Sequence, residues 1–118
     1  MQSLLATNKL KKQIMEHLKQ TISEQKNFLE SLNQFILNIE SDHKKHWPNS
    51  IHDFKVSYSK GGKYYRIIKE YCGQKSVHSF VDENGNIWKA AGWKAPAKNF
   101  VRGNIFSIKQ EQVCQYGF

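Results

Sequence analysis

Apolar positions along this chain follow two different periods, and the change falls at Pro48. Before Pro48 there is no Gly or Pro, so neither strong helix breaker is present. From Met15 the apolar steps run 15, 18, 22, 25, 29, 32, 36, 39, alternating three and four, with Gln25 as the polar occupant. That is the heptad spacing of a helical seam. Phe28 and Phe35 widen the stripe beyond a strict a/d line. The pattern predicts one long helix from Ser3 to Asp42 or Lys44, with Thr21–Lys26 as the point where it would break into a hairpin. About 40 residues at 1.5 Å each make a rod ~60 Å long, more than a small domain can cover. Self-association is therefore expected, forming a homo-oligomer through Met15, Leu18, Ile22, Leu29, Leu32, Ile36 and Ile39. Burial of the stripe against the protein's own sheet is the competing use.

After Pro48 the period becomes two. Phe54, Val56 and Tyr58 alternate with Lys55, Ser57 and Ser59, the mark of a half-buried strand. Gly61-Gly62 signals a turn, and Lys63–Cys72 reads as a long second strand. Gly73-Gln74-Lys75 turns the chain into Ser76–Asp82, where Val77 and Val81 are expected on one face and His78 and Phe80 on the other. The Asn84-Gly85 turn leads to Ile87–Ala91. Beyond Gly92, Pro96 and Gly103 argue for a basic loop over Trp93–Gly103, with Asn104–Lys109 as a possible short edge strand. The expected fold class is α+β: a long N-terminal helix, then a four-stranded antiparallel β-meander with a basic C-terminal loop. Residues 1–47 form the helical, coiled-coil segment and residues 48–118 the small β domain.

At 118 residues the chain fits one modest core, with a hydrophobic share of 39% against the usual ~45–50%. Its formal charge is +8, which favours a polyanionic partner. Residues 1–52 hold 7 Lys and 5 acids, or +2; residues 53–118 hold 11 Lys or Arg and 5 acids, or +6. The basic character thus belongs to the second half. Cys72 and Cys114 are too few for a disulfide framework and read as reduced thiols in a cytoplasmic protein. Met1–Leu18 is interrupted by Asn8, Lys9, Lys11 and Lys12 and does not resemble a secretory signal. No run approaches the ~20 apolar residues of a membrane helix.

The charge concentrates in Asn86–Lys109, where Lys89, Lys94, Lys98, Arg102 and Lys109 alternate with Trp88, Trp93, Phe100 and Phe106 and no acid intervenes. Cations that meet phosphates, beside flat rings that meet bases, suit nucleic acid without sequence preference. Lys89, Trp93, Lys94, Lys98 and Arg102 are the candidate contacts, with Arg66 and Tyr65 in support. Trp88, inside a strand, reads as core, whereas Trp93 could serve the core or the surface. On the second strand Tyr64, Arg66, Ile68 and Glu70 share one face, and Lys63, Tyr65, Ile67, Lys69 and Tyr71 the other. Asp42, His43, His46, His52 and Asp53 cluster in sequence but lack the convergent ligand spacing of a metal site. Cys72 and His78 could face each other across a hairpin, but no third group orients them for nucleophilic catalysis. There is no phosphate-binding loop or paired-carboxylate motif. No enzyme activity, metal or cofactor is implied.

The run VDENGNIWKAAGWKAPAKNFVRGNIF, with KYYRIIKEYCGQKSVHSFVD before it, resembles a motif in small uncharacterised proteins of tailed bacteriophages and related viruses. The likeness covers about Phe54 to Phe106. Gly92 stands where the related run carries a Ser, and Phe100 occupies a spacer that is usually small or basic. The resemblance implies an accessory protein in the cytoplasm of a bacterial host and carries no catalytic residue with it. The expected function is non-catalytic nucleic-acid binding. The alternative is a protein-interaction or inhibitor module that blocks a host nucleic-acid-handling or defence enzyme. A virion or assembly protein held together by the helix is a third reading.

Overall fold

The computed structural model describes residues 2–118; within the helix, side chains are described for Glu16, Lys19 and from residue 25 onward. One helix precedes an antiparallel sheet: α1 (Gln2–His46), β1 (Phe54–Lys60), β2 (Tyr64–Tyr71), β3 (Gln74–Asp82), β4 (Asn86–Lys89) and β5 (Gly103–Asn104), with a short 3-10 turn at Gln110–Gln112. Residues 1–30 and 31–118 are separate compact units. In the first, Leu29 is 40% exposed. Met15, Leu18 and Ile22 lie outside the described side chains. The helix stops before Trp47, whose helical backbone is disfavoured by the ring of Pro48. Lys44 and Lys45 lie in the last turn, where cations oppose the negative end of the helix dipole.

In the unit of residues 31–118, Leu32, Phe35, Ile36 and Ile39 are all buried, Leu32 and Ile39 completely. The sheet supplies Ile67, Val81 and Ile87, each with no exposed surface. Pairing of Tyr65 with Val81 and of Val81 with Ile87 puts these side chains on one face. The Phe35 ring meets His78 of β3 edge-on at 5.9 Å, so the apolar stripe of α1 lies on that face. This corrects the reading of Leu32, Ile36 and Ile39 as a seam between copies. They are core of their own chain, each contributing about 1.5–3 kcal/mol by burial. Heptad spacing and a core-facing amphipathic stripe share the same 3-4 steps, so periodicity alone does not separate them.

The sheet order is β1-β2-β3-β4-β5, with antiparallel pairing throughout. It has five strands, not the four expected. The fifth pairs Gly103 with Ile87 and Asn104 with Asn86. Two residues carry no readable alternation, and the chain turns at once: Asn104 Oδ1 accepts the Phe106 amide at 2.9 Å, and Asn104 O accepts that of Ile108 at 2.9 Å. The possible edge strand over Asn104–Lys109 is thus present only as Gly103–Asn104, and residues 105–107 form a turn. On the outer edge, Glu40 accepts a hydrogen bond from the Val56 amide of β1, while burial raises its carboxyl above the ordinary value.

A β-bulge reorders β3. Ile67 pairs with Ser79 and Ile68 with Val77, leaving His78 as the extra residue. Both His78 and Ser79 are buried, and their side chains bond at 2.9 Å. The expected alternation fails here: His78 joins Val81 on the helix-facing side, and Val77 moves to the side of Phe80. The buried ring then holds the C-terminal tail. Its Nε2 donates to Cys114 O at 2.6 Å, and Phe118 stacks on Phe35 at 6.3 Å. Asp42 Oδ2 accepts the Gln115 amide at 2.9 Å, and His43 Nδ1 meets Gln115 Oε1 at 2.6 Å. Helix, sheet and tail are thus tied by polar bonds inside the core.

Candidate nucleic-acid interface

Trp93 stands at the tip of a tight loop that continues β4. Ala90 bridges to Pro96, the Ala91 amide donates to Ala95 O at 3.1 Å, and the Ala97 amide donates to Lys89 O at 2.8 Å. The flanking residues supply every N–H the pairing needs, so Pro96 pairs without the donor it lacks. Pro96 is buried while residues 91–95 are exposed. Trp93 is 45% exposed. That resolves its two readings in favour of the surface.

The loop is anchored to the face of the sheet opposite α1. Pairing of Ser59 with Arg66, Arg66 with Phe80 and Phe80 with Trp88 sets these residues in a row across that face. Arg66 Nε donates to Trp93 O at 2.7 Å, and its Nη1 donates to Ser59 Oγ at 3.2 Å. The guanidinium carbon lies 5.1 Å from the Trp93 ring centroid and 5.9 Å from that of Phe80. Such contacts of Arg with aromatic faces are each worth ~0.5–1 kcal/mol at exposed sites. Arg66 thus supports the loop with its Nε and one Nη1 donor. Trp88 is fixed by Nε1 donating to Asp82 Oδ2 at 3.1 Å, as expected of a structural indole.

The remaining candidates divide. Lys98 Nζ lies 5.9 Å above the Tyr64 ring on the same face as Arg66. Lys94 is exposed next to Trp93. Arg102 stacks on Phe100 at 3.7 Å, and its Nε is buried without a hydrogen-bond partner among the described residues. Tyr65 and Lys89 belong elsewhere. Strand pairing with Val81 and Ser79 puts both on the helix-facing side, where Tyr65 meets Tyr58 at 5.8 Å. Among the described residues no carboxylate lies within ion-pair distance of Lys94, Lys98, Arg66 or Arg102. The alternation that placed Arg66 on this face also placed Tyr64, whereas Ser59 and Phe80 join them only through strand register.

The histidines do not converge. His43 stacks on Phe54 at 4.1 Å, His46 bonds to Asp42 O, and His52 meets Tyr71 edge-on. Cys72 is exposed in a turn, while His78 is buried against the tail, so the two form no catalytic pair. Among the described residues no helix is long and apolar enough to cross a membrane.

A family model described as a family of unknown function (DUF7717) matches residues 2–117. The chain belongs to that family. No curated protein and no solved structure matches it. Membership therefore extends over helix and sheet alike, beyond the Phe54–Phe106 stretch that carried the sequence resemblance.

This member of the family also has a concavity on the helix-facing side of the sheet. It measures about 490 Å³, and its walls include His43, Trp47, Phe54, Tyr71 and Tyr116. Lys69 lies within it and donates to Gln115 O and Tyr116 O, each at 3.4 Å. Burial holds the Lys69 ammonium below the ordinary lysine value.

Proposed function

We propose that this protein is a non-catalytic binder of single-stranded nucleic acid with little sequence preference, of the kind a phage uses as an accessory factor in its host. The observation that carries this reading is the exposed Trp93 indole, held over Arg66 at a loop tip beside Lys94 and Lys98. A solvated loop gains nothing by leaving an indole uncovered, whereas a base stacked on it contributes ~1–3 kcal/mol whatever its identity. Lys94 and Lys98 supply phosphate contacts. Arg102 extends the charged strip, and Arg66 keeps the indole in place. Tyr65 and Lys89 have no part in this version of the interface.

Titration of labelled single-stranded DNA and RNA of mixed sequence over a range of salt tests the proposal. Each phosphate contact on a single strand adds about −0.7 to the slope of log affinity on log salt. The double variant Lys94→Ala, Lys98→Ala should flatten that slope by about 1.4 while weakening all sequences alike. Trp93→Ala should cost ~1–3 kcal/mol with the slope unchanged. Circular dichroism should show both variants folded, since neither lysine and no more than part of the indole is buried. Wild type that binds no oligonucleotide at low salt would overturn the proposal and favour a protein partner for the same surface.

A further inference from the structure

The cavity on the helix-facing side is separated by the sheet itself from the Arg66–Trp93 surface. Its lining holds no Asp or Glu. Its aromatic walls are under-covered: Trp47 is 55% exposed, Tyr71 40% and Tyr116 69%. The Lys69 ammonium has long bonds to two tail carbonyls, lies 5.9 Å from the Tyr116 ring centroid and, among the described residues, has no carboxylate within ion-pair distance. We infer that this cavity binds a small planar aromatic anion of nucleotide size, its ring against Tyr71 and Trp47 and its charge on the Lys69 ammonium.

Size, shape and charge lead to the same occupant. A volume of about 490 Å³ falls in the ~300–1,000 Å³ range of small-molecule sites. Flat rings with a free side select a flat ligand, because stacking uses the whole exposed face. A partly desolvated ammonium without counter-charge selects an anion, because pairing restores what burial removed from the charged form. Lys75 borders the cavity too, but it stands opposite Glu70 in the strand ladder, and alternation sends its side chain to the other face. Lys69 is therefore the one cation that geometry puts inside. The carbonyl end of α1 also borders the cavity at His43 and Trp47, and its negative dipole favours the ring there and the charge at the sheet. Gln74 and Ser76 on the wall offer donors and acceptors for substituents on the ring.

The test is an amide NMR titration of the full chain with AMP and, in parallel, indole-3-acetate. Adenosine and inorganic phosphate serve as the separated halves. Either aromatic anion should shift the amides of His43, Tyr71, Gln74, Ser76 and Tyr116 saturably, at least tenfold tighter than adenosine or phosphate. The two arms distinguish a phosphate from a carboxylate anion. Lys69→Gln should weaken binding at least tenfold. Lys69 also ties down the tail, so Tyr71→Ala, at an exposed position, provides a second variant with the same expected loss and an intact fold. Trp93→Ala should leave these shifts unchanged, which separates this site from the oligonucleotide surface. Three results would each overturn the inference: no saturable shift with either anion, adenosine binding as tightly as AMP, or shifts confined to residues 89–97.

Discussion

Single residues here act through the partner they face more than through their own chemistry. Arg66 belongs by type with the phosphate-binding cations, yet its Nε and Nη1 bond to Trp93 O and Ser59 Oγ. Arg66→Lys keeps the charge but cannot reproduce a planar fork with two directed donors. It should weaken oligonucleotide binding through a mobile Trp93 while leaving the salt slope unchanged. His78 is the other such case. Burial lowers its pKa from 6.5 to about 4, outweighing the hydrogen bond to Cys114 O that favours the charged form. As pH falls, the unfolded chain takes up the proton first. Stability from this group is complete above about pH 6.5, is lost progressively down to about pH 4, and is flat below. The loss should total ~3 kcal/mol, at 1.36 kcal/mol per pH unit of displacement. Denaturant unfolding of wild type and His78→Gln across this range should show the difference between them shrinking as pH falls. A parallel pair of curves would show that His78 titrates normally.

At the scale of elements, the turns repay the closest reading. The β2–β3 connection is a two-residue turn, with Cys72 at φ 54° and Gly73 at φ 74°. Both central residues are left-handed, as the tight hairpin turn requires, and Cys is a poor occupant of the first position. Cys72→Asn should therefore stabilise the domain by about 0.5 kcal/mol, a gain measurable as a higher denaturant midpoint at unchanged slope. At the β3–β4 turn, Gly85 has φ +83°, and a Cβ there would lie 2.7 Å from Cε2 of Phe106. Gly85→Ala should cost more than 1 kcal/mol, from strain and the displaced ring together. The Asp82 carboxylate completes that turn by accepting the Asn84 and Asn86 amides, each at 2.9 Å.

For the whole molecule, the apolar stripe of α1 serves the chain's own sheet over Leu32–Ile39, so these residues are not free for a seam between copies. Ile39→Glu would bury a charge in the core and should unfold the domain. Leu29→Glu, at a 40% exposed position, should leave the sheet folded and shift any oligomer toward monomer. Sedimentation and circular dichroism on the pair distinguish these outcomes. Monomeric wild type at high concentration would remove the oligomer altogether.

By itself the sequence determined the helix, β1 to β4, and the aromatic-cationic loop, because each rests on local period or local turn chemistry. The run up to Pro48 has a 3-4 apolar period and no Gly or Pro to break a helix, and Phe54 to Tyr58 alternate as a strand does. Three decisions needed the tertiary structure. The bulge at His78 changed which side chains face α1, and nothing in SVHSFVD announces one extra residue. The two residues of β5 gain their identity only from lying beside β4. The tail, from Val113 to Phe118, carries no period, and its place follows from bonds to Asp42, His43, Lys69 and His78 that are distant in sequence. The same holds for the candidate sites. Composition pointed to the loop, but whether Trp93 faced solvent, and that Arg66 faced it while Tyr65 did not, depended on strand register, which is a property of pairs of segments and not of either one.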